Sequence, residues 1–123
     1  MHATARSSRT KTVVRLAFAS ALVVTLVTTA QARPVVIRGI AQRWSPATAT
    51  VPRGTVVKWR GVSKFHDVRA YGGNWTYNRT LPVGVTVKKR FRAAGTFRFR
   101  CTFHSTLIGT NCTGMCGSVR VTS

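Results

Sequence analysis

From residue 35 onward, apolar and polar side chains alternate. Thr55-Val56-Val57-Lys58-Trp59-Arg60 sets Val57 and Trp59 on one side, Lys58 and Arg60 on the other. Val85, Val87 and Phe91 stand against Lys88 and Arg90, Phe97 and Phe99 against Arg98 and Arg100, and Val119 and Val121 flank Arg120. A repeat of two is the pattern of a strand with one face in a core. Shorter β-branched runs at Val35-Val36-Ile37 and Thr48-Ala49-Thr50-Val51 add two strands, and residues 65–71 one more extended segment. Trp44-Ser45-Pro46 reads as an irregular turn. Pro52-Arg53-Gly54, residues 61–64, Gly72-Gly73-Asn74 and Pro82-Val83-Gly84 are further breaks, and Arg92-Ala93-Ala94-Gly95 is a connection of hairpin length. Residues 75–81 are expected to loop across the sheet. No window beyond residue 32 follows a 3.6-residue period. Turn signals this closely spaced predict an all-β sandwich or barrel of about seven strands. Its core is expected from Val57, Trp59, Val85, Val87, Phe97, Phe99, Val119 and Val121.

The first 32 residues follow another pattern. Arg6, Arg9, Lys11 and Arg15 precede an uncharged apolar run over residues 16–27, and Ala30-Gln31-Ala32 follows. This is the layout of a secretory signal peptide, with small residues where a signal peptidase cuts. The run is shorter than the ~20 apolar residues a membrane span needs. No twin-arginine pair is present, so general secretion is expected, to the periplasm, cell surface or medium. The expected division is a signal peptide over 1–32 and one domain over 33–123. A domain of that size buries only about 60–65% of its unfolded surface, so a metal or a disulfide would help it.

Charge sharpens the picture. The chain carries 20 Lys and Arg and a single acid, Asp67. Removal of residues 1–32 takes four of the cations and leaves the acid. Apart from Lys88-Lys89-Arg90 the cations are spread along the strands as solvated faces. Such a surface attracts anions, whether acidic proteins, anionic lipid head groups, cell-wall polymers or nucleic acid. No specific nucleic-acid recognition is expected.

The chemistry is concentrated in residues 97–121, which hold all three cysteines, His104 and Met115. An alternating strand ends in Cys101, His104 follows, and Met115 precedes the last strand. Thiolate, imidazole and thioether together suit a copper ion that changes oxidation state. Four pieces of the chain carry a resemblance. Trp44-Ser45-Pro46 through Gly54-Thr55-Val56-Val57-Lys58-Trp59 comes first, and His66-Asp67-Val68 second. Gly95-Thr96-Phe97-Arg98-Phe99-Arg100-Cys101-Thr102-Phe103-His104 is third, and Met115-Cys116-Gly117-Ser118-Val119-Arg120-Val121 fourth. In this order they resemble the cupredoxins, the plastocyanin and azurin group of blue copper proteins, over nearly all of residues 35–121.

The resemblance implies a Greek-key β-sandwich and one copper ion. His66, Cys101 and His104 would be its trigonal ligands and Met115 its weak axial ligand. It implies an electron carrier rather than an enzyme, monomeric, meeting a redox partner at the edge near His104, with Phe103, Leu107 and Ile108 as an apolar rim. The basic surface suggests that the partner docks through acidic groups. Anionic membrane or cell-wall polymer is a further expected contact. Asp67 is expected to tie the His66 segment to the cysteine loop by accepting backbone N–H bonds.

One departure stands out. Ten residues separate His104 from Met115, more than the family's common loops have, and Cys112 and Cys116 bracket the methionine. With Cys101 a ligand, Cys112 and Cys116 are free to pair and tether this longer loop. Three other readings stay open: a copper-binding or copper-delivery protein that passes no electrons, a structural zinc knot on Cys101, His104, Cys112 and Cys116, and a secreted basic binder of anionic polymer that has lost or swapped its metal. The three asparagines, Asn74, Asn78 and Asn111, lie in Asn-x-Thr sequons and are candidates for glycosylation in an exported chain.

Overall fold

The alternating segments become strands because only one of their faces is apolar enough to leave water. The computed structural model describes residues 3–4, 12–26 and 33–123. The strands are β1 (Val35–Ile40), β2 (Arg43–Ser45), β3 (Thr48–Pro52), β4 (Val56–Gly61), β5 (His66–Tyr71), β6 (Asn78–Leu81), β7 (Thr86–Arg90), β8 (Gly95–Ile108) and β9 (Asn111–Thr122). They form two sheets, in the orders β2-β1-β4-β7 and β3-β9-β8-β5-β6. The β1–β4 and β3–β9 pairs are parallel and the others antiparallel.

The sheets face each other as a β-sandwich. Ile37, Val57 and Trp59 of the first sheet meet Val68, Phe99, Val119 and Val121 of the second in one core. Trp59 is fully buried, with its ring 5.3 Å from Phe99 and 5.5 Å from Tyr77. Burying a large aromatic is worth about 3–5 kcal/mol against its truncation to Ala.

The all-β sandwich is as expected, but its details correct five expectations. There are nine strands among the described residues, not about seven. Trp44 and Ser45 lie in β2, paired with β1 through Gly39↔Trp44, and Asn78–Leu81 forms the edge strand β6 on β5. Both are short and flanked by breakers, so alternation has no room to show. Residues 92–95 make no hairpin: β7 pairs with β4, whereas β8 pairs with β5 and β9, so the connection crosses between the sheets. Val85 is 39% exposed rather than core, because it closes the Pro82 turn ahead of edge strand β7. The other seven expected core residues are buried or, for Val87, packed against the core.

The largest difference lies between His104 and Met115. That stretch is not a loop but a two-stranded ribbon that prolongs β8 and β9, with Ser105↔Gly114, Thr106↔Thr113, Leu107↔Cys112 and Ile108↔Asn111 paired. Of the expected signal peptide, residues 1–2, 5–11 and 27–32 lie outside the described residues, Arg6, Arg9, Lys11 and Ala30-Gln31-Ala32 among them; residues 12–26 form neither helix nor strand. No helix among the described residues is long and apolar enough to cross a membrane.

Candidate metal centre

The register of β8 against β9 creates the site. Arg100 pairs with Cys116 and the next pair is Ser105 with Gly114. Residues 101–104 on β8 therefore face a single residue, Met115, on β9. A bulge of this kind bends a strand and re-aims its side chains. Here it turns Cys101 and His104 to the same side. Ser105 fastens it by donating through Oγ to the Cys101 carbonyl at 2.5 Å, while Arg100 donates to Ser105 Oγ at 3.2 Å.

Strand β5 brings the third group. His66 opens that strand, is fully buried, and lies 3.6 Å from Cys101 Sγ and 3.3 Å from His104 Nδ1, both measured from its own Nδ1. His104 Nδ1 is 3.4 Å from Cys101 Sγ. Gly39 on β1 leaves room for the His66 ring, since a Cβ there would stand 2.8 Å from its Cδ2.

The tautomer of His66 follows from its other nitrogen. Nε2 is 2.7 Å from the Ser63 carbonyl, which can only accept, so Nε2 carries the hydrogen and Nδ1 presents a lone pair. Burial holds the imidazole below its ordinary pKa; the Ser63 bond opposes this and nearby His104 adds to it. Burial pushes the Cys101 thiol up, while backbone N–H groups of Asp67 and Phe103 pull the other way. A bound cation would reverse that shift, because a coordinating thiol gives up its proton.

The expected role of Asp67 is present. It is only 7% exposed, its Oδ1 accepts the Thr102 backbone N–H at 2.6 Å, and its Oδ2 accepts the Thr102 hydroxyl at 2.5 Å. The sole acid thus pins the bulge to β5. Met115 is 1% exposed, and its carbonyl accepts from Trp44 Nε1 at 3.2 Å. Trp44 lies 5.9 Å from the His66 ring and 5.3 Å from Phe99.

Cys112 and Cys116 form a disulfide, and Cys101 is the free thiol. That removes two of the three thiols from the proposed zinc knot, which fails on its donor set. His104 is half-buried and Phe103 exposed, with Phe65 packed edge-on against Phe103 at 5.2 Å. Phe65, Trp44, Ser63, Ser105 and Gly39 were not foreseen around the site. Only Trp44 left a trace in sequence, in its Trp-Ser-Pro stretch.

The donor set can be tested for fit. The three atoms make a triangle with sides of 3.3, 3.6 and 3.4 Å. Its centre lies about 2.0 Å from each corner, the length of a bond from an imidazole to a transition metal. Two nitrogens and a sulfur converging on one point suit copper better than hard cations.

No protein-family model and no curated protein matches the chain. Solved structures do. The chain is similar to the Cu-containing nitrite reductase NirK from Thermus scotoductus SA-01, with a TM-score of 0.62 and 19% identity over 74% of this chain and 23% of that one. It is similar to a variant of amicyanin in its reduced state, with a TM-score of 0.61 and 21% identity over 72% and 82% of the two chains. It is also similar to a purple cupredoxin from Nitrosopumilus maritimus, with a TM-score of 0.57 and 22% identity over 72% and 99%. The chain thus corresponds to a minor part of the nitrite reductase and to the whole fold of the purple cupredoxin. At these identities the shared property is architecture. The fold is that of the cupredoxins, and His66, Cys101 and His104 form a group compatible with a single copper ion.

Proposed function

We propose that the protein is an exported type 1, or blue, copper protein of the cupredoxin family that carries one electron and is not itself an enzyme. The observation that carries this reading is the convergence of His66 Nδ1, at the start of β5, with Cys101 Sγ and His104 Nδ1 of a β8 bulge that faces buried Met115. Copper, when bound, supplies the Cu(I)/Cu(II) couple. His66 and His104 would hold it through Nδ1, Cys101 through its thiolate and Met115, more weakly, through its thioether. The protein's own part is to keep this set rigid in both oxidation states. Asp67 clamps the bulge to β5, the Ser63 carbonyl fixes the His66 tautomer, and burial of His66, Cys101 and Met115 keeps water away.

Electrons pass at the half-buried edge of His104, beside the exposed Phe103–Phe65 pair. A redox partner with an acidic docking surface fits the basic body around it, since complementary charge speeds encounter. Export through the leader at residues 1–32 agrees with the disulfide, which persists in oxidising compartments.

The test is a visible absorption spectrum of residues 33–123 after addition of Cu(II). An intense thiolate-to-copper band is expected. It should vanish in Cys101→Ser and persist in Cys112→Ser. A colourless protein, or a band that survives Cys101→Ser, overturns the reading. Reversible redox cycling, without loss of copper to an acceptor, separates electron transfer from copper delivery.

A further inference from the structure

The ribbon beyond the bulge has no evident means of holding its own angle. Thr106, Ile108, Gly109, Thr110, Asn111, Thr113 and Gly114 are all exposed, and Ile108 at the tip is 75% exposed. Two-stranded ribbons without a packed face are marginal in water. Yet β9 bends sharply between the ribbon and the sheet. Cys112 and Cys116 are four residues apart with their Cα atoms 6.1 Å from each other, whereas four steps of extended strand cover about 13 Å. Gly114 makes the bend, with φ at +93°.

We infer that the Cys112–Cys116 disulfide is the positioning element for Met115, clamping the bend that presses this residue against the Cys101–His104 bulge. The inference rests on Met115 being the axial ligand. Cys112 pairs with Leu107 in the ribbon, and Cys116 pairs with Arg100 in the sheet. The bridge therefore joins the two arms of the bend, and Met115 lies within the small ring that it closes. Other restraints act beside the bridge: the side chain of Met115 packs in the core, its carbonyl accepts from Trp44, and Gly114 lets the backbone approach the His104 carbonyl. With the bridge open, ribbon and sheet are free to straighten toward strand spacing, which draws Met115 away from the bulge. The extra residues between His104 and Met115 are tolerated because the bridge shortens them.

The experiment compares Cys112→Ala/Cys116→Ala with the parent and with Met115→Leu. The chain has two methionines, Met1 and Met115, so in residues 33–123 the methionine methyl carbon is a reporter of one residue. In the metal-free parent we expect one sharp methyl resonance, displaced from the free-methionine position. In the double variant we expect it to broaden or return toward that position, while the amide spectrum stays dispersed. After Cu(II) is added, the double variant should keep its thiolate-to-copper band and shift toward the spectrum of Met115→Leu. An unchanged methyl resonance and an unchanged visible spectrum in the double variant overturn the inference and leave the copper reading intact. If Met115→Leu itself leaves the spectrum of the parent unchanged, the axial assignment fails, and the inference with it. Should the double variant not fold, a phosphine reductant added to folded metal-free parent opens the same bridge to two thiols. An undisturbed Met115 methyl then overturns the inference equally.

Discussion

Single residues at the site are held by short-range demands that substitution can test one at a time. Gly114 combines a left-handed backbone with a crowded approach: a Cβ would stand 2.5 Å from the His104 carbonyl oxygen. Gly114→Ala should cost about 1–3 kcal/mol, the usual size of such backbone strain, seen as a lower denaturant midpoint of the metal-free protein at unchanged slope. Asp67 makes a different demand. Both of its oxygens are committed to Thr102, so Asp67→Ala leaves a partly buried N–H and hydroxyl without their acceptor. A loss of about 1–3 kcal/mol is expected. Asp67→Asn keeps one acceptor oxygen and should lose less, so equal losses in the two variants would show that these hydrogen bonds do not carry the stability.

At the level of the strand, β8 is two structures in one. Its first half is core: Phe99 is fully buried between Trp44 and Trp59, each ring 5.3 Å away. Its second half is ribbon, ending at exposed Ile108. Phe99→Ala should therefore cost about 3–5 kcal/mol, and Ile108→Ala less than about 0.5 kcal/mol, measured by the same denaturation. Comparable losses would mean that the ribbon packs against something it does not touch here. The same division explains what could be read from sequence. The first half was legible because Phe97, Phe99, Arg98 and Arg100 alternate and Cys101 and His104 follow at ligand spacing. The ribbon was not, because Ser105, Thr106, Thr110, Asn111 and Thr113 show neither an apolar face nor a strand period. Strands β2 and β6 escaped because each is only a few residues long. Asp67 was recognisable by its rarity. The Ser63 carbonyl was not, since a backbone acceptor leaves no mark in sequence.

Across the whole molecule, charge is the unbalanced term. The one acid is buried and occupied by Thr102, so it neutralises nothing on the surface. The register makes matters worse by placing like charges face to face, Lys58↔Lys88 and Arg38↔Arg60 in one sheet and Arg69↔Arg100 in the other. Directly opposed like charges destabilise a strand pair by up to about 1 kcal/mol, and self-repulsion of a strongly charged chain adds to this. The fold tolerates this because its stability comes from the core between the sheets. Two outcomes follow for the metal-free protein. Raising ionic strength from about 0.01 M to 0.15 M, which shortens the screening length from about 30 Å to 8 Å, should raise the thermal midpoint. Either Lys58→Glu or Lys88→Glu should stabilise by about 0.2–1 kcal/mol by turning a repulsive pair into an attractive one. The two together should give less than the sum of the single gains, because Glu then faces Glu. Additive gains would place the repulsion in the net charge of the molecule rather than in the pair, and no response to salt would remove it from both.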